Sequence, residues 1–438
     1  MRPVDPRLIA VFVWILGCFL VTLRLLLHRP LSLPKCGYTL LVAFFVRIIP
    51  ALVLPRGAQY EMGVFRQVAE ATLNGQSVYL TTIPHPHFPL QLYWFAAALW
   101  LNIRVGLEFV FWLKLPNILT EVAMTGLVYS AIQKAGNKKE ALFGAWLYAL
   151  NPVTTLVAAY QGQFDTTPLF LMVAACYLFE FHQNKRWGLV FSSFVLGLGI
   201  LSKTWPVMLL PIILLRLSNW RSRLGYTAIS AAIPVIGTLL YELLFPGSLF
   251  SILRRSLNAG AIPGWWGYSS ILNVWVELTG KGSEIYAVLM KVAKFAALLC
   301  GIFTILGTRR RSSFCSLLLT ILVLFAAVPN LGLQGLSWVV PLAIILKSKN
   351  QMGWYIIGAT VHMVVSYWGI HLTDGLYVLM PSLAASIIIQ LSSLTAWIVI
   401  VFWSAQELLL VKLLPSVFEH KRAGISTNKS SIAPSINL

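Results

Sequence analysis

The sequence predicts an all-α membrane protein, a polytopic transmembrane helical bundle of about 12–14 spans. Of its 438 residues, 58% are hydrophobic and only 11% are charged, and the mean hydropathy is +0.78. These values lie far outside those of soluble domains. Apolar runs long enough to cross a bilayer, roughly 20 residues each, recur from one end of the chain to the other. Basic residues lie mainly in the short segments between these runs.

The apolar runs divide the chain into three parts. Residues 1–37 hold an extra N-terminal helix, which we expect to be retained because no small-residue cleavage site follows it. Residues 38–415 form the transmembrane domain, and the polar tail at 416–438 is expected to be disordered and cytoplasmic. The candidate spans are 8–27, 38–54, 88–103, 109–132, 141–160, 166–181, 188–201, 203–217, 226–245, 284–307, 313–329, 335–347, 352–371 and 391–412, with a further short or re-entrant segment at 376–390.

Loop charges indicate the orientation of the bundle. Basic clusters stand near residues 134–139, 185–186, 221–223, 309–311, 347–349 and 421–422, each separated by two candidate spans. Because short cytoplasmic loops are enriched in Lys and Arg, all six are expected on the cytoplasmic side. Asp165 and the outer loop 246–283 then share the opposite, extracytoplasmic face. The first external loop, 55–87, joins them only if one span between residues 88 and 133 is re-entrant or miscounted.

Composition also excludes several classes of function. The formal net charge is +19, but the basic residues form no single patch, so no nucleic acid is expected as a partner. The five Cys are scattered without a CxxC pair and indicate buried hydrophobic positions. No Gly-rich nucleotide motif is present, which disfavours a sugar-nucleotide donor. The expected setting is the plasma membrane of a bacterium.

Asp165 is an isolated carboxylate between two apolar stretches, preceded by Gln161, Gly162 and Gln163. An acid at membrane depth costs about 2.5–3.5 kcal/mol on insertion scales unless it is paired or faces water. The residue is therefore a functional candidate. Because Thr166, Thr167 and Pro168 follow it as a good helix start, a helix cap is an equally strong alternative.

The first external loop carries a second acid, Glu61. Apolar residues from Val64 to Leu73 recur at helical spacing, which predicts an amphipathic helix at the membrane interface. Glu61 opens this helix, and favourable interaction with the helix dipole is the alternative to a catalytic role. His85 and His87 follow among prolines, but no third ligand is close in sequence, so no metal site is predicted.

Four segments resemble polyprenol-phosphate-sugar-dependent glycosyltransferases of the GT-C superfamily, in the mannosyltransferase-like branch. The first loop is similar to theirs through Glu61, Phe65, Arg66, Ala69, Glu70, Leu73, Gly75, Tyr79 and Pro89. The run from Asn151-Pro152 to Asp165 and Pro168 resembles the family's Asn-Pro…Gly-Gln-Phe-Asp motif. Leu201-Ser202-Lys203 with Pro206 and Pro211 looks like its lysine-containing broken helix, and the stretch from Gly332 to Pro341 resembles its Gln-Tyr-Leu-x-Trp-x-x-Pro signature. Glu61 stands where the family usually has Asp, and Gly335 where it has Tyr.

The resemblance implies transfer of a sugar from a polyprenyl phosphate to a glycolipid, glycan or protein acceptor on the outer face, with inversion. Such a displacement needs one carboxylate to take the acceptor proton, and the aligned position favours Glu61, with Asp165 as second candidate or as a substrate-orienting residue. Lys203 would stabilise the leaving phosphate, and snorkelling to the interface is its alternative. The candidate substrate- and phosphate-binding residues are Lys203, Arg66, Arg254, Arg255, Gln163, Gln334, Trp338 and His87. No obligatory metal or other cofactor is expected.

Two further features and a rival function remain open. The aromatic cluster from Trp265 to Tyr268 can stack on sugars, and an interfacial aromatic belt is the alternative. Glu121 is expected to pair with Lys114 or another basic group inside the bundle. A lipid-linked sugar flippase or a small-molecule transporter would also show many spans with sparse intramembrane charges, but the sequence lacks the internal repeats typical of transporters.

Overall fold

A computed structural model describes residues 6–28, 33–257, 264–367 and 382–413. Helices joined by turns make up the described ranges, which contain no strand, and this confirms the predicted all-α bundle. The predicted tail at 416–438 lies outside the described residues, as does the first part of the segment predicted at 376–390.

The described helices follow the apolar runs closely. In chain order they are α1 (Pro6–Leu27), α2 (Cys36–Val53), α3 (Gln59–Leu73), α4 (Leu90–Val105), α5 (Phe109–Ala135), α6 (Lys138–Ala149), α7 (Pro152–Thr155), α8 (Thr166–His182), α9 (Arg186–Ser202), α10 (Leu209–Leu214), α11 (Trp220–Leu244), α12 (Leu249–Leu257), α13 (Tyr268–Thr279), α14 (Ser283–Gly307), α15 (Ser313–Ala327), α16 (Val339–Ile345), α17 (Lys349–Ser366), α18 (Ser382–Ser392) and α19 (Leu394–Leu413). A π-helical segment spans Leu156–Gln161, and 3₁₀ segments span Val78–Leu80, Trp205–Met208 and Leu333–Trp338.

Length and apolarity separate these helices into two groups. Within the described ranges, 6 helices are long and apolar enough to cross a membrane, or up to 7 if the bent pair Lys138–Ala149 and Pro152–Gln161 is one span. Shorter apolar helices of 10–17 residues lie among them. The chain is therefore an integral membrane protein, and the figure of about 12–14 spans stays a prediction.

The basic loops that the structure describes lie at one end of the bundle, as the loop charges predict, whereas the predicted cluster at 421–422 lies outside the described residues. Lys347 forms an ion pair with Glu140 at 2.7 Å, which joins the loop after α16 to the start of α6. Arg216 donates to the carbonyl oxygen of Arg311 at 2.9 Å, which joins the end of α10 to the loop before α15. We call this the basic end, and the opposite end the site end.

Helix α4 starts and finishes at the site end. This explains why the loop charges fit only if one predicted span between residues 88 and 133 does not cross the membrane. Gln91, in its first turn, donates to the hydroxyl of Ser202 at the end of α9 at 2.6 Å. Three residues separate α4 from α5, and Lys114 near the start of α5 donates to the carbonyl oxygen of Leu54 just after α2 at 3.4 Å. Helix α4 packs along α3 instead of crossing, with Phe65 stacked on Phe95 at 4.5 Å between ring centroids. The predicted span at 88–103 is therefore a helix of the site end, and the first loop lies on the same side as Asp165.

A buried ion pair holds the centre of the bundle. Arg47 of α2 contacts Glu121 of α5 at 2.9 Å, with both side chains fully buried. Arg47 also donates to the carbonyl oxygen of Ala149 and to the hydroxyl of Thr154, both at 2.8 Å. The basic partner expected for Glu121 is thus Arg47, because Lys114 is directed towards the carbonyl oxygens that end α2.

Candidate active site at the site end

A broken helix creates the loop that carries Asp165. Pro152 occupies the first turn of α7, where its missing N–H costs nothing, and the side chain of Asn151 caps this turn by accepting from the Val153 amide at 3.0 Å. The helix then widens into the π-helical segment and ends at Gly162, whose φ of +77° lies in the left-handed region. The carbonyl oxygen of Gln161 is left facing the first external loop. It accepts from the Ala58 amide at 3.1 Å, which fixes the start of α3 against the loop.

Asp165 is an ion-pair partner and not a helix cap. It occupies the position before α8, but its side chain makes no capping hydrogen bond. Its Oδ2 atom lies 2.6 Å from Nζ of Lys203, and both side chains are buried. The capping alternative is therefore wrong, and so is the alternative in which Lys203 snorkels to the interface.

Lys203 is placed by a second broken helix. It ends α9 with an extended backbone, and Pro206 lies in the 3₁₀ segment that follows. Its ammonium lies 4.8 Å from the ring centroid of Phe164, an arrangement typical of a cation–π contact. The Gly-Gln-Phe-Asp run thus supplies both the carboxylate and the aromatic face that hold the lysine.

Glu61 lies in the first turn of α3 and close to Asp165. Its Oε2 atom is buried and has no hydrogen-bond partner among the residues that the structure describes. The carboxylates of Glu61 and Asp165 both lie within electrostatic range of Tyr367, which follows α17. Tyr367 in turn packs edge-to-face on Tyr160 of the π-helical segment, at 5.7 Å between ring centroids. The two predicted catalytic acids therefore share one neighbourhood.

The signature between Gly332 and Pro341 joins the same cluster. Nε2 of Gln161 lies 3.5 Å from Oε1 of Gln334, and Gln163 is buried two residues further along the chain. Trp338 stacks on Trp205, with ring centroids 3.5 Å apart and planes 13° from parallel. Since Trp205 is two residues after Lys203, this stack places the signature beside the ion pair.

The histidine loop covers the cluster from the side of α4. His87 packs edge-to-face on Phe164 at 5.2 Å, and its carbonyl oxygen accepts from the hydroxyl of Tyr79 at 2.5 Å. Burial, together with the nearby positive charges of Arg255 and Lys203, lowers the pKa of His85 to about 3. Burial and the charge of Lys203 also hold the pKa of His87 well below its usual value. Both imidazoles are therefore neutral at neutral pH.

Arg255 holds the histidine loop in place. Its guanidinium donates to the carbonyl oxygens of Thr81 and Ile83, each at 2.5 Å, which ties the outer loop 246–283 to the first external loop. The other predicted arginines lie elsewhere. Arg66 is exposed and pairs with Glu70 at 3.1 Å, and Arg254 is exposed on α12. The structure brings neither to the cluster.

The aromatic cluster of the outer loop is part of the core. Trp266 is buried and donates to the carbonyl oxygen of Phe325 at 2.7 Å. Tyr268 donates to the carbonyl oxygen of Ala327 at 2.8 Å. These side chains fasten the outer loop to the end of α15, so neither sugar stacking nor an interfacial belt describes Trp266.

Several functional candidates are invisible in the sequence motifs. Tyr160 and Tyr367 each belong to an apolar run, and no motif distinguishes them in the sequence. Only the fold brings them near the two acids. Trp205 could have been found, since an aromatic residue two positions after an intramembrane lysine is placed to shield it. The sequence assigns no role to His85, and the structure makes it a neutral neighbour of Lys203.

Buried polar atoms that have no hydrogen-bond partner within the described ranges are concentrated in this cluster. They include two carboxylate oxygens, Glu61 Oε2 and Asp165 Oδ1, and both indole nitrogens of the Trp205–Trp338 stack. Such atoms cost about 1–3 kcal/mol each when left unpaired. Hydrogen-bond acceptors and donors thus surround the Asp165–Lys203 ion pair, an arrangement typical of a binding site for a polar molecule. No group of three or more His, Cys, Asp or Glu that could hold a metal occurs in the described parts of the chain, and metal independence stays a prediction.

One comparison with known proteins relates the chain to a family. Residues 87–241 match the family model described as dolichyl-phosphate-mannose-protein mannosyltransferase. The matched range includes His87, Gln163, Asp165 and Lys203. No curated protein and no solved structure shows a detectable match to the chain. The match covers about a third of the chain. Together with the helical membrane bundle, it supports the resemblance to a GT-C, mannosyltransferase-like membrane glycosyltransferase that the motifs carry.

Proposed function

We propose that this protein transfers mannose from a polyprenyl phosphate to an acceptor hydroxyl at the extracytoplasmic face, with inversion at the anomeric carbon. The observation that carries the proposal is the convergence of Glu61 with the Asp165–Lys203 ion pair at the end of the bundle away from the basic loops. That end is extracytoplasmic if the basic loops are cytoplasmic. The plasma membrane of a bacterium stays the predicted setting.

In the proposed reaction, Glu61 is the general base. Its buried Oε2 accepts the proton of the acceptor hydroxyl, while the acceptor oxygen forms a bond to the anomeric carbon. The bond between that carbon and the phosphate oxygen breaks, and its electron pair leaves with the phosphate. Glu61 is favoured over Asp165 because Oδ2 of Asp165 already accepts a hydrogen bond from Lys203, whereas Glu61 Oε2 has no partner in the described parts of the chain.

Lys203 has capacity to serve both Asp165 and the leaving phosphate. A lysine ammonium has three N–H donors, and one of them goes to Asp165. The remaining donors can stabilise the charge that develops on the phosphate. Asp165 then acts as the residue that orients Lys203, and its Oδ1 is an acceptor for a sugar hydroxyl.

The rival function is movement of a lipid-linked sugar across the membrane without transfer. The family match favours a transferase over a flippase or transporter. The acceptor class, whether glycolipid, glycan or protein, stays open, and mannose is proposed from the described family alone.

The decisive experiment measures release of polyprenyl phosphate from synthetic polyprenyl-phosphate mannose by the purified chain, with an alkyl mannoside as acceptor. Glu61→Gln is expected to lower the rate by about 10²–10⁴-fold, the usual contribution of a general base. Glu70→Gln is the matched control, because Glu70 lies on the same helix, is exposed and pairs with Arg66. Its rate should stay within about twofold of wild type, as expected for an exposed pair.

Two outcomes would contradict the proposal. A Glu61→Gln variant with the wild-type rate would remove Glu61 as the base. Transbilayer movement of the donor in vesicles, without any released polyprenyl phosphate or mannosylated product, would favour the flippase. Substituting glucose or arabinose for mannose in the donor tests the sugar separately.

A further inference from the structure

The last turns of α11 mark the lipid boundary at the site end. Leu239, Leu240, Leu243 and Leu244 share one face of this helix and are exposed, Leu243 for 77% of its surface. Helix α11 is long and apolar enough to cross the membrane, so this face lies against hydrocarbon. The hydroxyl of Tyr241, on another face of the same turns, accepts from the amide of residue 78 in the first external loop at 3.2 Å.

Helix α12 begins beside the end of α11. Glu242, in the last turn of α11, accepts from the amides of Gly247 and Leu249, both at 2.6 Å. One carboxylate thus closes the turn between the two helices and satisfies amides at the start of α12. The first residue of α12 is therefore held at the level where the lipid-facing surface of α11 ends.

Helix α12 then stays at the site end over its whole length. At its start, Oγ of Ser248 lies 2.6 Å from Oγ of Ser77 in the first external loop. In its last turn, Arg255 donates to the carbonyl oxygens of Thr81 and Ile83 in the same loop. Both ends of α12 therefore contact one loop, and its 9 residues are too few for a span, which takes about 20.

The two faces of α12 have opposite surroundings. Ile252 is fully buried between them and the first external loop, on the same side as Arg255. Leu249, Phe250 and Leu253 share the other face and are exposed within the described ranges, Phe250 for 75% of its surface. Arg254 is exposed at the edge of this apolar face. Apolar side chains on one face with a cation at its edge are typical of a helix that lies in the membrane interface.

We propose that α12 lies in the lipid interface at the site end, with Leu249, Phe250 and Leu253 inserted among the acyl chains and Arg254 directed to lipid phosphates. The bilayer is the occupant of this face because only residues 245–248 separate it along the chain from the lipid-facing leucines of α11. Helix α12 thus contacts lipid on one side and holds the histidine loop on the other. The proposal concerns contact with the bilayer and does not rest on the transfer reaction.

Photolabelling tests the proposal on the unmodified full-length chain. The chain is reconstituted in vesicles of phosphatidylcholine and phosphatidylglycerol, in which a small fraction of the phosphatidylcholine carries a diazirine in its acyl chain. After irradiation and peptide mapping, label is expected on Phe250 and Leu253 at about half the level found on Leu243 or more, since an interfacial helix reaches the acyl boundary. Buried Ile252 and exposed Gln76, in the loop after α3, are the controls and should carry none. Label on Leu243 without label on α12 would overturn the proposal.

Spin labelling distinguishes the bilayer from other occupants. In a cysteine-free background, Phe250→Cys and Leu253→Cys are each given a nitroxide, with Leu243→Cys as the lipid reference and Gln76→Cys as the water reference. Collisions with oxygen should exceed those with a water-soluble nickel chelate severalfold at positions 250 and 253, as at position 243, and the order should reverse at position 76. Nickel access at position 250 equal to that at position 76 would place the face in water. Low access to both reagents, with dipolar coupling between the nitroxides of two chains, would make a second copy the occupant, and either result would overturn the proposal.

Discussion

Asp165 and Lys203 form a contact in which each side chain depends on the other. Both are buried, and 2.6 Å separates the carboxylate from the ammonium. Removing water from two charges is costly, and their attraction offsets that cost only while both are present. The loss of either partner leaves an uncompensated charge inside the bundle, so each single variant tests the pair and not one residue.

A double-mutant cycle on this pair should show strong coupling. We expect Asp165→Asn and Lys203→Met each to destabilise the protein by about 3–5 kcal/mol, since each leaves a buried charge unpaired. The double variant should recover much of this loss because no buried charge remains, yet it should stay inactive in mannose transfer. Thermal unfolding in detergent, read beside the transfer assay, gives both quantities. Additive destabilisation in the double variant would show that the two charges do not depend on each other.

At this scale, the sequence predicts the reactive groups but not the residues around them. Asp165 and Lys203 are recognisable because a charge inside an apolar run is costly and therefore rare. Tyr367 and Trp338 come to the site through contacts with residues more than 100 positions away, and no local pattern encodes such a pairing. Arg66 is the opposite case: it belongs to a recognisable motif, but its side chain is exposed and does not reach the site.

At the scale of an element, the interrupted helix from Asn151 to Gly162 decides where the site forms. Its π-helical turn and left-handed glycine reverse the chain within the bundle. Gly162 has both a φ of +77° and close neighbours, because an added Cβ would lie 3.3 Å from Met62 Cε and 3.4 Å from Lys114 Cε. The asparagine–proline start was predictable from sequence. The π-helical turn was not predictable, because it depends on a hydrogen bond from the Ala58 amide to the carbonyl oxygen of Gln161, two residues that are far apart in the sequence and share no local pattern.

Gly162→Ala is expected to destabilise the protein by about 1–2 kcal/mol, the cost of a left-handed backbone for a residue with a Cβ. It should also lower transfer activity, since Asp165 follows three residues later. Gly225→Ala is the control: Gly225 lies in α11 with nothing within 4 Å of an added Cβ, so stability should be unchanged or rise by up to about 1 kcal/mol. Unfolding midpoints in detergent measure both effects. Equal midpoints for the two variants would show that Gly162 is under no strain.

At the scale of the whole molecule, α3 and α4 form a layer at one end of the bundle and α4 does not cross it. If the first external loop shares the face of Asp165, the loop charges require one span between residues 88 and 133 to be re-entrant or miscounted, but they do not identify it. The sequence of α4 is apolar enough to be predicted as a membrane span. Its apolar side chains instead pack on a neighbouring helix of the site end, α3. The contact of Phe65 with Phe95 that settles the matter joins two different helices.

Cysteine labelling should confirm this topology. In a cysteine-free background, Gln76→Cys and Leu107→Cys flank α4 and should react with a membrane-impermeant maleimide from the same side of sealed vesicles. Lys138→Cys, at the start of α6, should react only from the opposite side. All three positions are exposed. Labelling of position 107 together with position 138 would show that α4 crosses the membrane.

The stack of Trp205 on Trp338 has a mechanical consequence. Each indole belongs to a short 3₁₀ segment at the break of a different interrupted helix, and their planes lie almost parallel at 3.5 Å. Interrupted helices bend most readily at their breaks, so these two segments are natural hinges. Because the rings are in face contact, we expect a tilt at one hinge to displace the other. Lys203 before one hinge and Gln334 within the other are then expected to shift together.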